Sequence, residues 1–312
     1  MTSLVLTGRF KYSLEQKESI SKLGYNILFH EDEKIPFTEE ELKCEVMVNL
    51  DALSNNDIND FKNLKFIQAT MVGTDKVPME RIKEKGIKYC NSRGVFDIPI
   101  AEFVIMRLLE VYKHARVFEK QTEKRGWAKQ FDMEEINGKN IAILGTGGIG
   151  IEVAKRLKAF GANVFGFNRS LKKAEYFDEI FSITQLKNRI GTFDAVIIAI
   201  PLTEETFHLF NDEMLGLMKD KSIIVNIGRG AIVCENALAN ALESGKLKAA
   251  VIDVFEKEPL STESRLWNFD EFYFSPHCSF SSVENNRRMF ELIYNNLKAY
   301  KCNGKLLSEV KL

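Results

Sequence analysis

The sequence predicts an α/β fold with two domains: a larger domain on a doubly wound parallel sheet and a smaller α/β domain. Short β-rich runs alternate with Lys/Glu-rich segments of helical length from one end of the chain to the other. The length of 312 residues fits one large or two ordinary domains, since a single core stops growing at roughly 250 to 300 residues. The sequence pattern changes near residue 97, where a long apolar helix is predicted, and this change favours two domains.

The first series of elements predicts the smaller domain. Its strands are expected at 4–7, 25–29, 46–50, 66–69 and 87–89. The segments between them are polar and long enough for helices, which is typical of parallel βα units rather than of a sandwich or a bundle.

Residues 97–121 predict one long, largely buried helix. Asp97 can cap its N-terminus, and Pro99 suits a first helical turn because its missing N–H costs nothing there. Apolar residues then recur at three- and four-residue steps: Ile100, Phe103, Val104, Leu108 and Val111. We place a domain crossover at this helix.

A second series predicts the larger domain. Its strands are expected at 141–144, 163–167, 195–200, 222–226, 249–253 and 272–274. The run 195–200 is apolar on both faces, as a strand covered by helices on both sides requires. The amphipathic stretch 283–300 has no strand after it, so we expect it to return to the first domain. The expected domains are therefore 1–97 with 285–312, and 98–284.

Composition excludes several classes of protein. A net charge of −1 gives no long-range field for nucleic acid or anionic membrane. The longest strongly apolar stretch, 195–202, is far shorter than the roughly 18 to 20 residues of a membrane span. The N-terminus does not resemble a secretory signal, so we expect a cytoplasmic protein. Five scattered cysteines and four scattered histidines encode neither a disulfide framework nor a metal motif, and no metal is expected.

A glycine-rich turn predicts dinucleotide binding. The run 141–150, IAILGTGGIG, leads a strand directly into G-x-G-x-x-G and then into an amphipathic helix that ends near Gly161. Gly145 permits the tight turn, Gly147 lets the backbone approach a pyrophosphate, and Gly150 allows close contact between helix and strand. The helix N-terminus also offers free N–H groups to the diphosphate.

The end of the next strand predicts NADP(H) rather than NAD(H). NAD enzymes usually place Asp or Glu there for the ribose hydroxyls, whereas this chain has Asn168, Arg169 and Ser170, followed by two lysines. Asn168 removes a negative charge that would repel a 2′-phosphate, and Arg169 and Ser170 can donate hydrogen bonds to one. Two such bonds, each worth roughly 1.5 to 3 kcal/mol, would change the preference by about a hundredfold or more.

Further motifs resemble the D-isomer-specific 2-hydroxyacid dehydrogenase family in matching order and spacing. They are VNIGRGAIV at 225–233, DVFEKEP at 253–259, SPH at 275–277 and PLTEETFH at 201–208, together with the glycine motif. The resemblance extends over nearly the whole chain. It implies a Rossmann-type cofactor domain, a smaller flavodoxin-like substrate domain, and hydride transfer between a nicotinamide cofactor and a small 2-oxo or 2-hydroxy acid.

The resemblance implies a set of site residues. Arg229 would bind the substrate carboxylate and carbonyl, Glu258 would orient a histidine, and His277 would exchange the proton. Val72 and Gly73 would offer backbone N–H groups to the carboxylate. The implied cofactor residues are Gly145, Gly147, Gly148, Ile149, Gly150, Asn168, Arg169, Ser170, Pro201, Ile227, Gly228 and Asp253, the last on the nicotinamide amide. His208 lies outside this pattern and is interpreted as structural.

These residue types suit the chemistry. Adding a hydride to C2 of a 2-oxo acid places negative charge on the carbonyl oxygen, which a proton donor and a fixed cation must meet. Imidazole titrates near neutrality, and a neighbouring carboxylate favours imidazolium. A guanidinium stays charged and can hold a carboxylate by two parallel hydrogen bonds.

Several alternatives stay open at this stage. The expected substrate is glyoxylate, hydroxypyruvate or a pyruvate-like acid. A phosphoglycerate dehydrogenase is the nearest enzymatic alternative, and a dinucleotide-sensing protein like the family's corepressor branch is the alternative from another class. The family usually dimerises through the cofactor domain, so the resemblance implies a homodimer. One departure is Phe280, which follows the histidine motif and is expected to narrow the pocket.

Overall fold

The computed structural model describes residues 2–75 and 77–311, and their contacts divide the chain into two compact units. Unit 1 is Met1–Phe96 with Ser282–Leu312, and unit 2 is Asp97–Ser281. The sequence assigned residue 97 to the first domain and residues 282–284 to the second, whereas the contacts group each with the other unit. Asp97 is already the first residue of a helix in unit 2, and 282–284 lead into a helix of unit 1.

The described residues form strands and α-helices in close alternation. The strands are β1 Thr2–Thr7, β2 Tyr25–His30, β3 Val46–Asn49, β4 Phe66–Ala69, β5 Lys88–Cys90, β6 Asn140–Leu144, β7 Asn163–Asn168, β8 Glu179–Ser182, β9 Ala195–Ile198, β10 Ser222–Asn226, β11 Leu247–Ile252 and β12 Phe272–Phe274. The helices are α1 Leu14–Ser21, α2 Met79–Glu84, α3 Asp97–Tyr112, α4 Ala115–Glu123, α5 Gly148–Ala159, α6 Leu186–Arg189, α7 Asp212–Leu217, α8 Glu235–Glu243 and α9 Asn285–Lys301.

Unit 1 is a parallel five-stranded sheet in the order β2-β1-β3-β4-β5, the doubly wound order of flavodoxin-like folds. The final helix α9 belongs to this unit, as the sequence predicts. Its residues Met289, Ile293 and Leu297 share one apolar core with Leu4 and Leu6 of β1. Burying such a face is what holds an amphipathic helix in place.

Unit 2 is a parallel seven-stranded sheet in the order β12-β11-β10-β9-β6-β7-β8. The strand order reverses between β6 and β9, which is the Rossmann arrangement and places a ligand crevice at the carboxyl ends of those strands. Strands β9 and β10 are buried along their whole length. The predicted fold class is therefore confirmed in both units.

Strand bounds differ from the expected ones by up to two residues, and three differences from the sequence-based expectation have an evident physical cause. The helix expected at 97–121 is two helices, because His114 adopts a left-handed φ of 54° between α3 and α4, and α4 buries none of its residues. Strand β8 was missed because it is four residues long and lies at the sheet edge, where it is half exposed. Strand β9 ends at Ile198 rather than at 200, since Ala199 and Ile200 turn away beneath two glycine loops described below.

In the described part of the chain, no helix is both long and apolar enough to cross a membrane.

The carboxylate of Glu134 bridges two segments of unit 2. It accepts hydrogen bonds from the ammonium groups of Lys139 and Lys248. Burial alone would raise the pKa of Glu134, but these two bonds outweigh burial and hold the pKa below its ordinary value. A carboxyl group with a depressed pKa in the folded state stabilises the fold above its unfolded pKa, and this contribution is lost as the pH falls through the folded pKa.

We therefore expect Glu134→Gln to lower the free energy of unfolding by about 1 kcal/mol at about pH 7. The difference from wild type should shrink as the pH falls below the ordinary glutamate pKa of about 4.3. Urea unfolding followed at several pH values measures this. The neighbouring exposed Glu135→Gln is the control and should match wild type throughout. An E134Q deficit that persists unchanged to about pH 3 would contradict the role of the charge.

Candidate functional site

The predicted site residues of unit 2 follow the carboxyl ends of adjacent strands. Pro201 follows β9, Arg229 follows β10, Glu258 follows β11 and His277 follows β12. Since these strands are parallel neighbours in one sheet, their carboxyl ends share an edge. The glycine motif begins at the end of β6, next to β9 at the same edge.

The glycine loop packs as the motif predicts. Gly145 has a φ of 101°, and a Cβ there would lie 2.5 Å from the carbonyl oxygen of Ala199. A Cβ at Gly150 would lie 2.0 Å from the carbonyl oxygen of Gly145. Gly147, the N-cap of α5, has no atom within 4 Å of its Cβ position, so its backbone faces open space. The first N–H groups of α5, including those of Gly148 and Ile149, are therefore placed as in phosphate-binding turns.

Asn168, the last residue of β7, offers an acceptor to a ribose. Its Nδ2 donates to Thr146 Oγ1 at 2.8 Å and to the carbonyl oxygen of Lys172 at 3.1 Å. These bonds fix the amide, and its buried Oδ1 makes no hydrogen bond to the described residues. A buried acceptor of this kind normally has a donor, and a ribose hydroxyl would provide one. Arg169 and Ser170 beside it are exposed. These residues fit a dinucleotide.

His277 and Glu258 form a hydrogen-bonded pair. His277 Nδ1 lies 2.9 Å from Glu258 Oε2, and both side chains are partly exposed, 45% and 40%. The pairing of Nδ1 with the carboxylate leaves Nε2 as the outer ring nitrogen. The backbone of His277 is left-handed, with a φ of 49°, and is fixed by its N–H donating to the carbonyl oxygen of Asp253 at 2.8 Å. Strained backbone of this kind clusters at functional sites.

Asp253 holds the loop that carries His277. Its carboxylate is buried and accepts hydrogen bonds from Ser275 Oγ at 2.7 Å, from the N–H of Cys278 at 2.9 Å, and from both the N–H and the hydroxyl of Ser279. Sequence reasoning assigned Asp253 to the nicotinamide amide and did not identify these partners. The nicotinamide contact stays a prediction, while the loop contacts make Asp253 a positioning residue for His277.

Arg229 is presented by a turn that a buried asparagine shapes. Asn226 Nδ2 donates to the carbonyl oxygen of Arg229 at 3.0 Å, and Asn226 Oδ1 accepts from the N–H of Gly228 at 3.1 Å. A Cβ at Gly228 would lie 2.8 Å from the carbonyl oxygen of Ile200, so the turn lies against the end of β9. The preceding N–H, of Ile227, donates to the carbonyl oxygen of β9 residue Ile198.

The residue after Arg229 touches the loop that carries Glu258. A Cβ at Gly230 would lie 1.8 Å from the carbonyl carbon of Phe255 and 2.5 Å from the nitrogen of Glu256. Only glycine permits this approach, which brings the segments bearing Arg229 and Glu258 together.

The structure also gives different partners to Glu256 and Glu258, which are two positions apart in the sequence. Glu258 pairs with His277, whereas Glu256 pairs with His208, its Oε2 lying 3.1 Å from His208 Nε2. His208 stacks on Phe207 with ring centroids 4.0 Å apart. The two His–Glu pairs are therefore distinct.

Val72 and Gly73 lie in unit 1, on the half-buried loop after β4. The carbonyl oxygen of Val72 accepts a hydrogen bond from Asn91 Nδ2 at 2.9 Å. In unit 2, the ring of Phe280 lies edge-on to the His277 ring with centroids 6.3 Å apart, and its narrowing of the pocket stays a prediction.

Sequence reasoning missed Asn226, Ser275 and Ser279, which shape the two turns. Each is buried although polar; Asn226 ends β10 and Ser275 directly follows β12, while Ser279 lies four residues further along the same loop. Polar residues at that position of a buried parallel strand need a partner, and this was the available signal.

Chemically, this edge of the sheet offers the free N–H groups of a helix N-terminus, a buried amide oxygen, a guanidinium and an imidazole backed by a carboxylate. Such a set can bind a dinucleotide and stabilise charge that develops on an oxygen beside it.

Comparison with known proteins is consistent with this description. Residues 105–279 match the family model described as "D-isomer specific 2-hydroxyacid dehydrogenase, NAD binding domain". The chain is similar to a glyoxylate reductase of Thermofilum pendens, 30% identical over 90% of this chain and 87% of that protein. It is also similar to a hydroxypyruvate reductase of Thermotoga maritima, 31% identical over 89% of this chain and 95% of that protein. Among solved structures, a D-isomer specific 2-hydroxyacid dehydrogenase family protein from Aeromonas salmonicida subsp. salmonicida is 25% identical, covers 99% of both chains and has a TM-score of 0.86.

Proposed function

The chain belongs to the D-isomer-specific 2-hydroxyacid dehydrogenase family, and on this premise we propose that it reduces a small 2-oxo acid, of the glyoxylate, hydroxypyruvate or pyruvate type, to the D-2-hydroxy acid. Its family is one of oxidoreductases that act on CH–OH groups and carry an NAD-binding domain. The observation that carries the proposal is the 2.9 Å hydrogen bond between His277 and Glu258 on the loops next to Arg229. The names of the relatives from Thermofilum pendens and Thermotoga maritima support the substrate class.

The site residues have complementary roles in this reaction. The bound dinucleotide supplies the hydride. His277 holds a proton on its outer nitrogen Nε2 and donates it to the carbonyl oxygen of the substrate, while Glu258 fixes the ring through Nδ1. The guanidinium of Arg229 binds the substrate carboxylate and stabilises charge on the carbonyl oxygen.

The test is a steady-state screen of 2-oxo acids with NADPH and with NADH. We expect turnover that is fastest with short acids such as glyoxylate, hydroxypyruvate or pyruvate. Tight dinucleotide binding without turnover of any acid would favour a sensor and contradict the proposal. Turnover confined to 3-phosphohydroxypyruvate, the 2-oxo acid that corresponds to 3-phosphoglycerate, would instead indicate a phosphoglycerate dehydrogenase.

For the cofactor, we propose NADP(H) in preference to NAD(H). Asn168 carries no charge, and its Oδ1 suits a ribose hydroxyl. Arg169, Ser170, Lys172 and Lys173 are all exposed around it and offer donors for a 2′-phosphate. A phosphate dianion near two or three such groups gains charge-assisted hydrogen bonds that NADH cannot make.

We expect Arg169→Ala to raise the KM for NADPH by about 10- to 100-fold, since one hydrogen bond to a charged group is worth roughly 1.5 to 3 kcal/mol. The KM for NADH is the internal control and should change by less than about threefold. Initial rates with both cofactors measure the effect. A wild-type enzyme that prefers NADH, or an R169A variant with equal losses for both cofactors, would contradict the assignment.

We also propose that the enzyme works in the cytoplasm as a homodimer formed through unit 2. All five cysteines are free thiols, as in reducing compartments. The segment after α4 exposes Trp127 and Phe131 almost fully, 95% and 89%, and large apolar side chains exposed together mark interaction sites.

We expect light scattering to give the mass of a dimer for wild type and of a monomer for the double variant W127A/F131A. Val283→Ala, which shortens another strongly exposed apolar side chain, is the control and should leave the dimer intact. A monomeric wild type would contradict the proposal.

A further inference from the structure

A second cluster of chemically reactive side chains lies outside the proposed catalytic set. It consists of His208, Cys234 and Glu256, which are 22 or more residues apart in sequence and come from three different segments of unit 2. One donor atom from each, a ring nitrogen, the thiol sulfur and a carboxylate oxygen, lies within 4.8 Å of the other two. The sequence predicted no metal site because its histidines are scattered, but the fold brings one histidine together with a cysteine and a glutamate from other segments.

We propose that His208, Cys234 and Glu256 form a binding site for a zinc ion. Nitrogen, sulfur and oxygen donors of these types are the ones zinc takes in proteins. At bond lengths of roughly 2.0 to 2.3 Å, a tetrahedral ion holds its donors roughly 3.3 to 3.7 Å apart. The present separations, all within 4.8 Å, are close to that spacing, and water would complete the fourth position, as at other zinc sites with three protein ligands.

The backbone around the cluster is held from three directions. The N–H of His208 donates to the carbonyl oxygen of Ala231 at 2.8 Å, and the N–H of Cys234 donates to that of Phe210 at 3.1 Å. Glu256 and Glu235 each accept from the other's backbone N–H at 2.8 Å. The three donors are therefore presented on fixed backbone, which lowers the cost of ordering them around an ion.

His208 gives the strongest indication of a missing partner. Its Nε2 is buried and makes no hydrogen bond to the described residues, while Glu256 Oε2 lies 3.1 Å away as an ion-pair partner. His208 also has a left-handed φ of 47°. A buried nitrogen without a hydrogen bond, on strained backbone, costs stability unless something else satisfies it. A coordinated cation would.

Local charge favours a cation at this place. Glu256 and Glu235 each accept a hydrogen bond from the other's backbone N–H, so two carboxylates lie close together beside the cluster. The His208 and Glu256 side chains are about one-third exposed, 30% and 33%, so an ion can reach them from solvent.

The site would connect the two loops of the proposed catalytic set. Cys234 follows Arg229 by five residues, and Glu256 precedes Glu258 by two, while Gly230 packs on the backbone of Glu256. A bound ion would cross-link these loops and stabilise unit 2. This inference concerns metal binding and stands or falls separately from the proposed reductase activity.

The test is titration of the metal-free full-length protein with Zn²⁺, and with Co²⁺ as a spectroscopic probe. We expect one tight equivalent per chain, a thiolate-to-Co²⁺ charge-transfer band in the near ultraviolet, and a higher Tm with Zn²⁺. Cys234→Ser should abolish the band and weaken Zn²⁺ binding by about 100-fold or more. Serine is a favoured N-cap residue, and Cys234 is the N-cap of α8, so this variant should fold.

Two controls separate this site from others. Cys302→Ser changes an exposed thiol in unit 1, and His277→Asn removes the other His–Glu pair; both should bind Zn²⁺ as wild type does. His208→Gln should behave like C234S. Absence of binding in wild type would show that His208 and Glu256 form an ion pair only, and binding that survives both C234S and H208Q would locate the metal elsewhere. Either result overturns the proposal.

Discussion

His277→Asn is expected to lower kcat by about 10³-fold, within the 10²- to 10⁴-fold range typical of losing a general acid. Asparagine cannot carry a transferable proton at the position of Nε2, but its amide N–H can still donate to Glu258. Asparagine also tolerates the left-handed backbone found at His277, so the loop should keep its shape. The loss would therefore reflect missing proton transfer rather than a disordered site.

A matched control is available at His114. This histidine is also left-handed, with a φ of 54°, and lies 3.8 Å from the carboxylate of Asp132. His114→Asn makes the same chemical change away from the proposed catalytic residues and should leave kcat within about twofold. Dinucleotide affinity, measured by fluorescence titration, should be unchanged in H277N. A fall in kcat of less than about tenfold would exclude His277 as the proton donor.

Arg229→Gln is expected to lower kcat/KM by about 10²- to 10⁴-fold, because two charge-assisted hydrogen bonds to a carboxylate are worth roughly 3 to 6 kcal/mol together. Part of this loss should fall on KM, since the carboxylate is bound in the ground state as well. Arg229→Lys keeps the charge but not the planar pair of donors, so it should recover only part of the activity.

The turn itself should survive these substitutions. Asn226 holds it through the backbone carbonyl of Arg229 and the N–H of Gly228, and neither depends on the side chain at 229. Arg265→Gln, which removes an exposed guanidinium paired with Glu243, is the matched control and should be fully active. Activity of R229Q within about tenfold of wild type would contradict the proposed role of Arg229.

Much of the fold follows from the sequence because parallel strands buried on both faces are unmistakable apolar runs. The strands at 66–69, 222–226 and 272–274 have the predicted bounds, and the glycine motif lies between a strand and a helix as expected. The break at His114 was not predictable, since helical periodicity continues through 121 and nothing in the pattern signals a left-handed histidine.

The exact ends of strands were also beyond prediction from the sequence. β9 was expected to reach Ile200 because the apolar run continues, yet it ends at Ile198. The reason is tertiary: the carbonyl oxygens of Ala199 and Ile200 face the Gly145 and Gly228 loops instead of a neighbouring strand. Such contacts arise only once distant segments have come together.

Part of the candidate site could be predicted from the sequence and part could not. The order of the motifs predicted that Glu258 orients His277, and the structure places the two side chains in hydrogen-bond contact. Sequence could not show that Asp253 anchors the His277 loop, nor that Glu256 faces His208 and Cys234, because these pairings depend on side-chain direction after the fold has formed.

The most direct test of the central claim is a single-turnover reaction of the enzyme with NADPH and either hydroxypyruvate or pyruvate, whichever turns over faster in the screen, with chiral analysis of the product. Proton donation by His277 beside an Arg229-bound carboxylate predicts one equivalent of the D-2-hydroxy acid for each dinucleotide oxidised, and almost none from H277N. An L-product, or full conversion by H277N at the wild-type rate, would contradict it.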